Sequence, residues 1–373
     1  MAGRIVLFGA TGYTGELTAR ELVGRGARPV LVGRSAERLG ALAEQLGGGL
    51  ETAVVDATAP RAVAELAALA GPGDVLVCTV GPFMRWGETG VGAALQSGAH
   101  YIDSTGEPPF IRSVFERHGP AAEAAGCGLL TALGYDYVPG NLAGALALRG
   151  AGDRAVSVDV GYFVSGGGGG GAQASGGTRA SAAGMLTEPG YEFRGGRLET
   201  QRAARHVRDL DGRPAISVGA TEQFALPRVH PGLRDITVWL GWFGPASRPL
   251  QAMSAATAVA TKVPGVRGAI GAVAERFVKG STGGPPAGAR AKAKSHIVAV
   301  ASDAGGRELA TVRLRGVNPY DFTAGMLAWG AMRAASGGLL AAGALGPVDG
   351  FGLDELEAGV AEAGISHHEE QLP

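Results

Sequence analysis

The sequence predicts an α/β chain: a Rossmann-type doubly wound parallel sheet, followed by an α+β domain with a mainly antiparallel sheet. Three observations carry this expectation. From residue 4 to about 132, short uninterrupted apolar runs alternate with amphipathic stretches. A glycine-spaced turn joins the first of those runs to the first helical stretch. After about residue 150 the apolar runs acquire features of period two and are joined partly by turn-like links such as AGGR.

The elements follow in order. RIVLFG reads as a strand and TGELTARELVGRG as its helix; PVLVGR, TAVVD and DVLVCTV are further strands, each followed by a helical stretch. Strands that are apolar throughout are buried on both faces, as in a parallel sheet with helices on either side. HYID at 100–103 and CGLLTAL at 127–133 bring the strands to six, the number in a full doubly wound dinucleotide fold. Residues 151–318 read as a separate α+β domain for substrate binding or dimerisation, with strands in 154–164, 233–243, 294–303 and 308–317. Helical segments at 320–336 and about 353–364 close the chain, so the first domain is expected to comprise 1–150 completed by 319–373. The run SGGGGGGAQASGG, residues 165–177, is either a surface loop or a mobile lid over a substrate. Segment 245–280 reads as two helices broken at Val263–Pro264, forming core, a dimer face or the wall of an apolar substrate pocket.

Composition narrows the functional classes. At 373 residues the chain is long enough for two domains. Its 33 Lys plus Arg balance 34 Asp plus Glu, which excludes nucleic-acid binding by bulk charge, and an apolar fraction of 46% excludes disorder. The two cysteines, Cys78 and Cys127, sit in apolar runs, which argues for buried thiols in a reducing compartment and against a cysteine zinc site. The N-terminus enters a strand pattern at once, with no signal-peptide features, and no weakly charged stretch is long enough to span a bilayer. A cytoplasmic protein with no transmembrane segment is expected, and a homodimer is an open possibility.

The sharpest chemical signal is GATGYTG, with Gly9, Gly12 and Gly15 at the junction of the first strand and first helix. Glycines there allow a tight turn and close approach of backbone to a pyrophosphate, whose charge meets the amides of the helix N-terminus. Thr11, Tyr13 and Thr14 either add hydroxyl donors to the phosphates or serve as turn and cap residues. At the end of the second strand stands Arg34 where an NAD-preferring site places an acid, and a guanidinium matches a 2′-phosphate; NADP(H) is therefore the expected cofactor. Asp56, after the third strand, either accepts from the adenine amino group or caps a helix. The loops beyond the fourth and fifth strands, Thr79 to Phe83 and Tyr101 to Glu107, should flank the nicotinamide.

The stretch VCTVGPFMRWGETGVGAALQSGAHYIDSTGEPPF resembles the signature of the saccharopine dehydrogenase-like oxidoreductases, a group that includes trans-acting enoyl reductases. The resemblance extends through LGYDYVPGNLA (133–143), GGTRASAAGMLTE (176–188) and PYDFTAGMLAWGAM (319–332), and is loose over 190–290. It implies that Gly9, Thr11, Gly12, Tyr13, Thr14, Gly15, Arg34, Ser35, Val80, Gly81, Pro82 and Phe83 line an NADP site.

Other chemistries lack their motifs. No tyrosine has a lysine four residues later, and there is no Walker loop, HExxH or GxSxG; the seven histidines show no metal spacing, so no metal is expected. Hydride transfer with acid–base help remains. Tyr101, Asp136 and Tyr137 are the catalytic candidates at the strand ends, with Asp103, Glu107 and Tyr135 beside them; helix capping and packing are the alternatives. Thr178, Arg179 and Ser181 are candidates for a substrate carbonyl or carboxylate, or a helix cap. The expected reaction is reduction of the enoyl double bond of a small, apolar polyketide, lipid or other specialised metabolite. Two alternatives stand beside it: an imine or secondary-amine oxidoreductase, for which Arg179, Arg194 and Arg197 would meet substrate carboxylates, and a non-catalytic NADP-binding protein.

Overall fold

A computed structural model of the chain describes residues 2–166, 188–260 and 283–367. Its first sheet contains β1 (Ile5–Phe8), β2 (Val30–Gly33), β3 (Thr52–Val54), β4 (Val75–Cys78), β5 (His100–Asp103), β6 (Gly128–Leu130) and β15 (Gly343–Ala344). Their order is β15-β6-β5-β4-β1-β2-β3, and every neighbouring pair is parallel. All residues of β1, β2 and β4 are buried, which is why these strands are apolar without alternation. The seventh strand, β15, is only two residues long, too short to leave a periodic signal.

Helices α1 (Tyr13–Gly24), α2 (Ala36–Gln45), α3 (Ala62–Ala67) and α4 (Phe83–Ser97) each follow one of the first four strands. Beyond β5 come α5 (Pro108–Ser113), a π-helical turn at Val114–His118 and α6 (Gly119–Ala125); α7 (Val138–Ala151) follows β6. Strand order reverses at β1, which lies between β2 and β4, so the carboxyl ends of β1 and β4 open side by side. Such a reversal is where ligands bind in open α/β sheets.

The chain divides into two compact units. The first comprises described residues of 1–105, 110–138 and 320–364, the second those of 106–109, 139–319 and 365–373. Against the division expected at residues 150 and 318, most of α7 goes with the second unit, as does β16 (Ile365–His367), which pairs with β14 (Glu308–Gly316). The expected helix at 320–336 is α11 (Pro319–Ala335), preceded in the second unit by α8 (Glu222–Val229), α9 (Ser247–Ala260) and α10 (Ala287–Lys292). Two short helices, α12 (Pro347–Phe351) and α13 (Leu353–Glu362), end the first unit.

The second sheet has nine strands, adding β7 (Ser157–Ser165), β8 (Pro189–Arg194), β9 (Arg197–Arg202), β10 (Val207–Leu210), β11 (Arg213–Val218), β12 (Asp235–Leu240) and β13 (Lys294–Ser302). Pairing is antiparallel except between β7 and β12, which run parallel from Ser157 against Asp235 to Tyr162 against Leu240. These were two of the runs expected to be antiparallel. The long excursion through β8 to β11 lets the chain re-enter in the same direction, which a short hairpin link cannot do. Phe163, Leu210, Trp239 and Val298 form a buried apolar cluster on one face of this sheet.

Candidate functional site

The glycine turn is built by close approach. Gly9 follows β1 with φ +93°, and a Cβ there would lie 2.7 Å from Thr79 Oγ1 and 2.9 Å from Val80 Cγ2. A Cβ on Gly15 would lie 2.1 Å from the Gly9 carbonyl oxygen, so the first turn of α1 can press on the loop only without a side chain. Gly12 is the N-cap of α1, and its amide donates to the Gly9 carbonyl at 2.9 Å. The result is a bare backbone cradle at the N-terminus of a twelve-residue helix, beside the sheet's reversal point. That geometry suits a pyrophosphate: helix amides supply positive potential, and no Cβ keeps the anion away.

Thr79, which the sequence placed only at the start of a loop flanking the nicotinamide, and Arg38, which it did not single out, hold the cradle. Thr79, after β4, donates its hydroxyl to the carbonyls of Phe8 and Gly9, each at 3.2 Å. Arg38, on α2, donates from Nη2 to the Thr11 carbonyl at 2.5 Å. The partners of both are distant in sequence, so the only signal was a polar residue at a strand end and a cation one turn into α2.

The remaining expected cofactor residues fall around this loop in the first unit. Arg34 lies directly after β2 and is exposed, and its charge helps to hold the Asp56 carboxyl below its ordinary value. Ser35 caps α2, its Oγ accepting from the Arg38 amide at 3.3 Å while its own proton stays available to an anion. Asp56 closes its own turn: Oδ1 accepts from the amide and hydroxyl of Thr58, each at 2.9 Å, and these bonds are the main cause of its lowered pKa. Tyr13 packs edge-on against Tyr320 of α11 at 5.1 Å, and the Thr14 carbonyl accepts from Thr18. Val80 borders Gly9, while Gly81 and Pro82 lead into α4. Phe83 turns inward, 5% exposed, against Phe110 at 5.6 Å, so its ring serves packing.

The catalytic candidates gather at the ends of β5 and β6. Asp103 is fully buried and braces the two ends together: Oδ1 accepts from the amides of Thr105 and Ala132, and Oδ2 from the Thr131 hydroxyl, all at 2.8 Å. Burial nevertheless pushes its carboxyl up to about 6, against the pull of those bonds. Tyr101 is also fully buried, its ring against Gly90 of α4; burial, with Asp103 and Cys78 nearby, raises its phenol well above the ordinary value.

Asp136 differs. Burial alone pushes its carboxyl up to about 7, and Oδ1 accepts no hydrogen bond among the described residues. The residue as a whole is half-buried rather than sealed. Tyr137 beside it is 1% exposed, its amide donating to the Ala132 carbonyl at 3.0 Å. Tyr135 meets Phe322 at 6.3 Å and is a packing residue, and Glu107 is buried in the second unit. The substrate candidates Thr178, Arg179 and Ser181, and the glycine run from 167 onward, lie outside the described residues. So does the expected break at Val263–Pro264.

Residues 5–128 match the family described as the saccharopine dehydrogenase NADP binding domain. Over 143 residues the chain is 41% identical to a trans-acting enoyl reductase of Mycobacterium leprae, a match covering 37% of this chain and 34% of that protein. A trans-acting enoyl reductase of Mycobacterium ulcerans is 38% identical with the same coverage. The match thus spans about a third of the length of these relatives. The fold is that of saccharopine dehydrogenase (L-Glu forming) from Saccharomyces cerevisiae, with TM-score 0.57 and 12% identity over 98% of this chain and 99% of that one. Homospermidine synthase from Legionella pneumophila, solved with NAD, gives TM-score 0.59 and 10% identity over 100% and 95%.

Proposed function

Starting from an N-terminal third that matches the saccharopine dehydrogenase NADP binding domain, we propose that this chain is an NADPH-dependent oxidoreductase that reduces an activated carbon–carbon double bond. Its substrate would be a small apolar molecule of polyketide, lipid or other specialised metabolism, and its setting the cytoplasm; no helix among the described residues is long and apolar enough to cross a membrane. The observation that carries the reading is the bare β1–α1 cradle with Arg34 at the end of β2. The names of the relatives over 143 residues support the enoyl chemistry.

Gly9, Gly12 and Gly15 would admit the pyrophosphate to the α1 amides, and Arg34 with the Ser35 hydroxyl would meet the 2′-phosphate. NADPH, when bound, supplies the hydride. Asp136 fits the second requirement, a proton for the other carbon: a carboxyl near 7 holds its proton at neutral pH and still releases it. Tyr137, its neighbour in sequence, is the candidate donor toward the charge that develops on the substrate carbonyl oxygen. Tyr101 and Asp103 act as positioning residues for the ends of β5 and β6.

The imine or amine alternative draws less support. Two of its three arginines are already paired, Arg194 with Glu192 at 3.3 Å and Arg197 with Glu199 at 2.7 Å. The test incubates the full chain with NADPH deuterated at the transferable position and a panel of α,β-unsaturated thioesters and cyclic imines. Deuterium in a saturated thioester product supports the proposal; deuterium only in an amine, or in nothing, overturns it.

A further inference from the structure

One end of the second sheet folds over its own face. Among the described residues, β11 pairs with β12 only from Ile216 to Val218, whereas its earlier residues, Arg213 to Ala215, pair with β10 alone. The outer half of the β10–β11 hairpin is thus an arm that leaves the sheet. Leu210 and Ala215 of the arm cluster with Phe163 of β7, Trp239 of β12 and Val298 of β13. Gly161 of β7 makes the room, since a Cβ there would lie 2.6 Å from Leu210 Cδ2. All of these residues belong to the second unit.

The tip of the arm is the two-residue turn of Asp211 and Gly212, with φ +52° and +72°. In strand order β12 and β7 stand between β11 and β13, yet Asp211 Oδ2 lies 2.8 Å from Nε2 of His296 on β13. Asp211 Oδ1 accepts from Arg313 of β14, from Nη2 at 3.1 Å and from Nε at 3.4 Å. These bonds fasten the tip to the two strands beneath it.

The fastening is complete only while His296 is neutral. Its Nδ1 lies 3.3 Å from Arg315 Nε, and a guanidinium can only donate, so the imidazole proton sits on Nε2, toward Asp211. A second proton, on Nδ1, would end the Arg315 bond. It would also set a cation close to the guanidiniums of Arg315 and of Arg213, which lies over Phe163, with Lys294 two residues back on the same face. Asp211 draws the other way, but Arg313 shares it. Asp159, farther along this face, is taken by Arg208 and the Trp239 indole, each at 2.7 Å. Burial first, then the charges of Arg213 and Arg315, outweigh Asp211 and hold the imidazole below its ordinary 6.5.

We propose that the β10–β11 arm is a proton-operated latch, closed over the sheet while His296 is neutral and released when that residue gains a second proton. A group whose pKa is lower with the arm closed than with it open favours closure above the open value, about 6.5, and that preference is lost as pH falls below it. Release bares Phe163, Trp239 and Val298. The latch does not depend on the reductase reading, and its failure would leave that reading untouched.

The experiment follows hydrogen–deuterium exchange of the full chain between pH 8 and pH 5, corrected for the intrinsic exchange rate, with the amides of residues 207–213 reporting the arm. Their protection should hold steady down to about pH 7 and then fall several-fold, by no more than about tenfold per pH unit, as one proton allows. The amides of residues 297–301, on β13, should stay protected. His296→Gln, which keeps a donor toward Asp211 and takes no proton, should remove the fall. His206→Gln should leave it in place, because His206 faces Glu192 of β8 and not the tip. Asp211→Asn, which suits the turn but loses the charge, should lower arm protection already at pH 8. The proposal is overturned by wild-type protection that does not change with pH, by a fall shared equally by β13, by a fall that survives in a folded His296→Gln or vanishes in His206→Gln, or by an arm that Asp211→Asn leaves as protected as before. The wild-type profile decides it even if a variant does not fold.

Discussion

Arg34 is the residue proposed to select the nucleotide. It follows β2 directly and is exposed, and Asp56, whose carboxyl is held low chiefly by Thr58 and in smaller part by the Arg34 charge, is occupied in its own Asx turn with Thr58. Arg34→Ala should weaken NADPH binding by about tenfold to a hundredfold, the loss of a charge-assisted pair, and leave NADH nearly unchanged; nicotinamide fluorescence reads both. Asp136 carries a pH signature. Its folded pKa, about 7, stands above the ordinary value of 3.8, so the folded chain holds this proton more tightly than the unfolded one. Its contribution to stability is full below the unfolded value and is lost as pH rises through the folded one. Asp136→Asn should therefore match wild type in acid and melt progressively higher than wild type as pH rises from about 3.8 to about 7, the gap staying at its full size above that. A gap of constant size at every pH would remove the carboxyl from this role. At this scale the sequence shows residue types at strand ends, which is how Arg34 and Asp136 were found. It does not show that Thr79 reaches back to Gly9 or that Arg38 reaches Thr11, because those contacts exist only after the strands and helices have assembled.

Elements were legible where periodicity is long and the punctuation strong. HYID at 100–103 became β5 as read, and the stretch at 320–336 became α11 within a residue at each end. The hairpin of β8 and β9 was not read, although its tip carries Gly195 and Gly196 with φ +56° and +79°, the two-residue turn that such conformations mark. Its strands are rich in Arg and Glu, which masked the alternation. The parallel pairing of β7 with β12 was hidden for another reason: period two tells which face a residue takes, not which direction its neighbour runs. Two glycines test the elements separately. Gly15→Ala would put a methyl 2.1 Å from the Gly9 carbonyl oxygen, and forcing α1 off the loop should abolish measurable NADPH binding and cost about 1–3 kcal/mol of stability. Gly140 lies on α7 in the second unit, where a Cβ would fall 2.0 Å from the Tyr162 hydroxyl and 2.6 Å from Glu222 Oε1. That hydroxyl donates to Glu222 at 2.5 Å and accepts from the Gly140 amide at 3.0 Å. Gly140→Ala should therefore destabilise the chain by a similar amount, about 1–3 kcal/mol, with NADPH affinity unchanged. Urea unfolding followed beside NADPH titration separates the two outcomes.

At the scale of the molecule, the family match at residues 5–128 falls almost wholly in the first unit, which also carries the bare cradle, whereas the likeness of fold at 10–12% identity runs over the whole chain. This asymmetry has a physical origin. A pyrophosphate is the same group in every dinucleotide, so the turn that meets it has little freedom. A sheet packed for its own core needs only the right volume and polarity, which many sequences supply. The cofactor candidates from Gly9 to Phe83 accordingly lie on described elements, whereas the substrate candidates Thr178, Arg179 and Ser181 lie outside the described residues. The measurement that bears most directly on the account is a titration of the full wild-type chain with NADPH and NADH in parallel, followed by nicotinamide fluorescence. Saturable NADPH binding at least about tenfold tighter than NADH is the expected result; equal affinity for the two, or binding of neither, would contradict it.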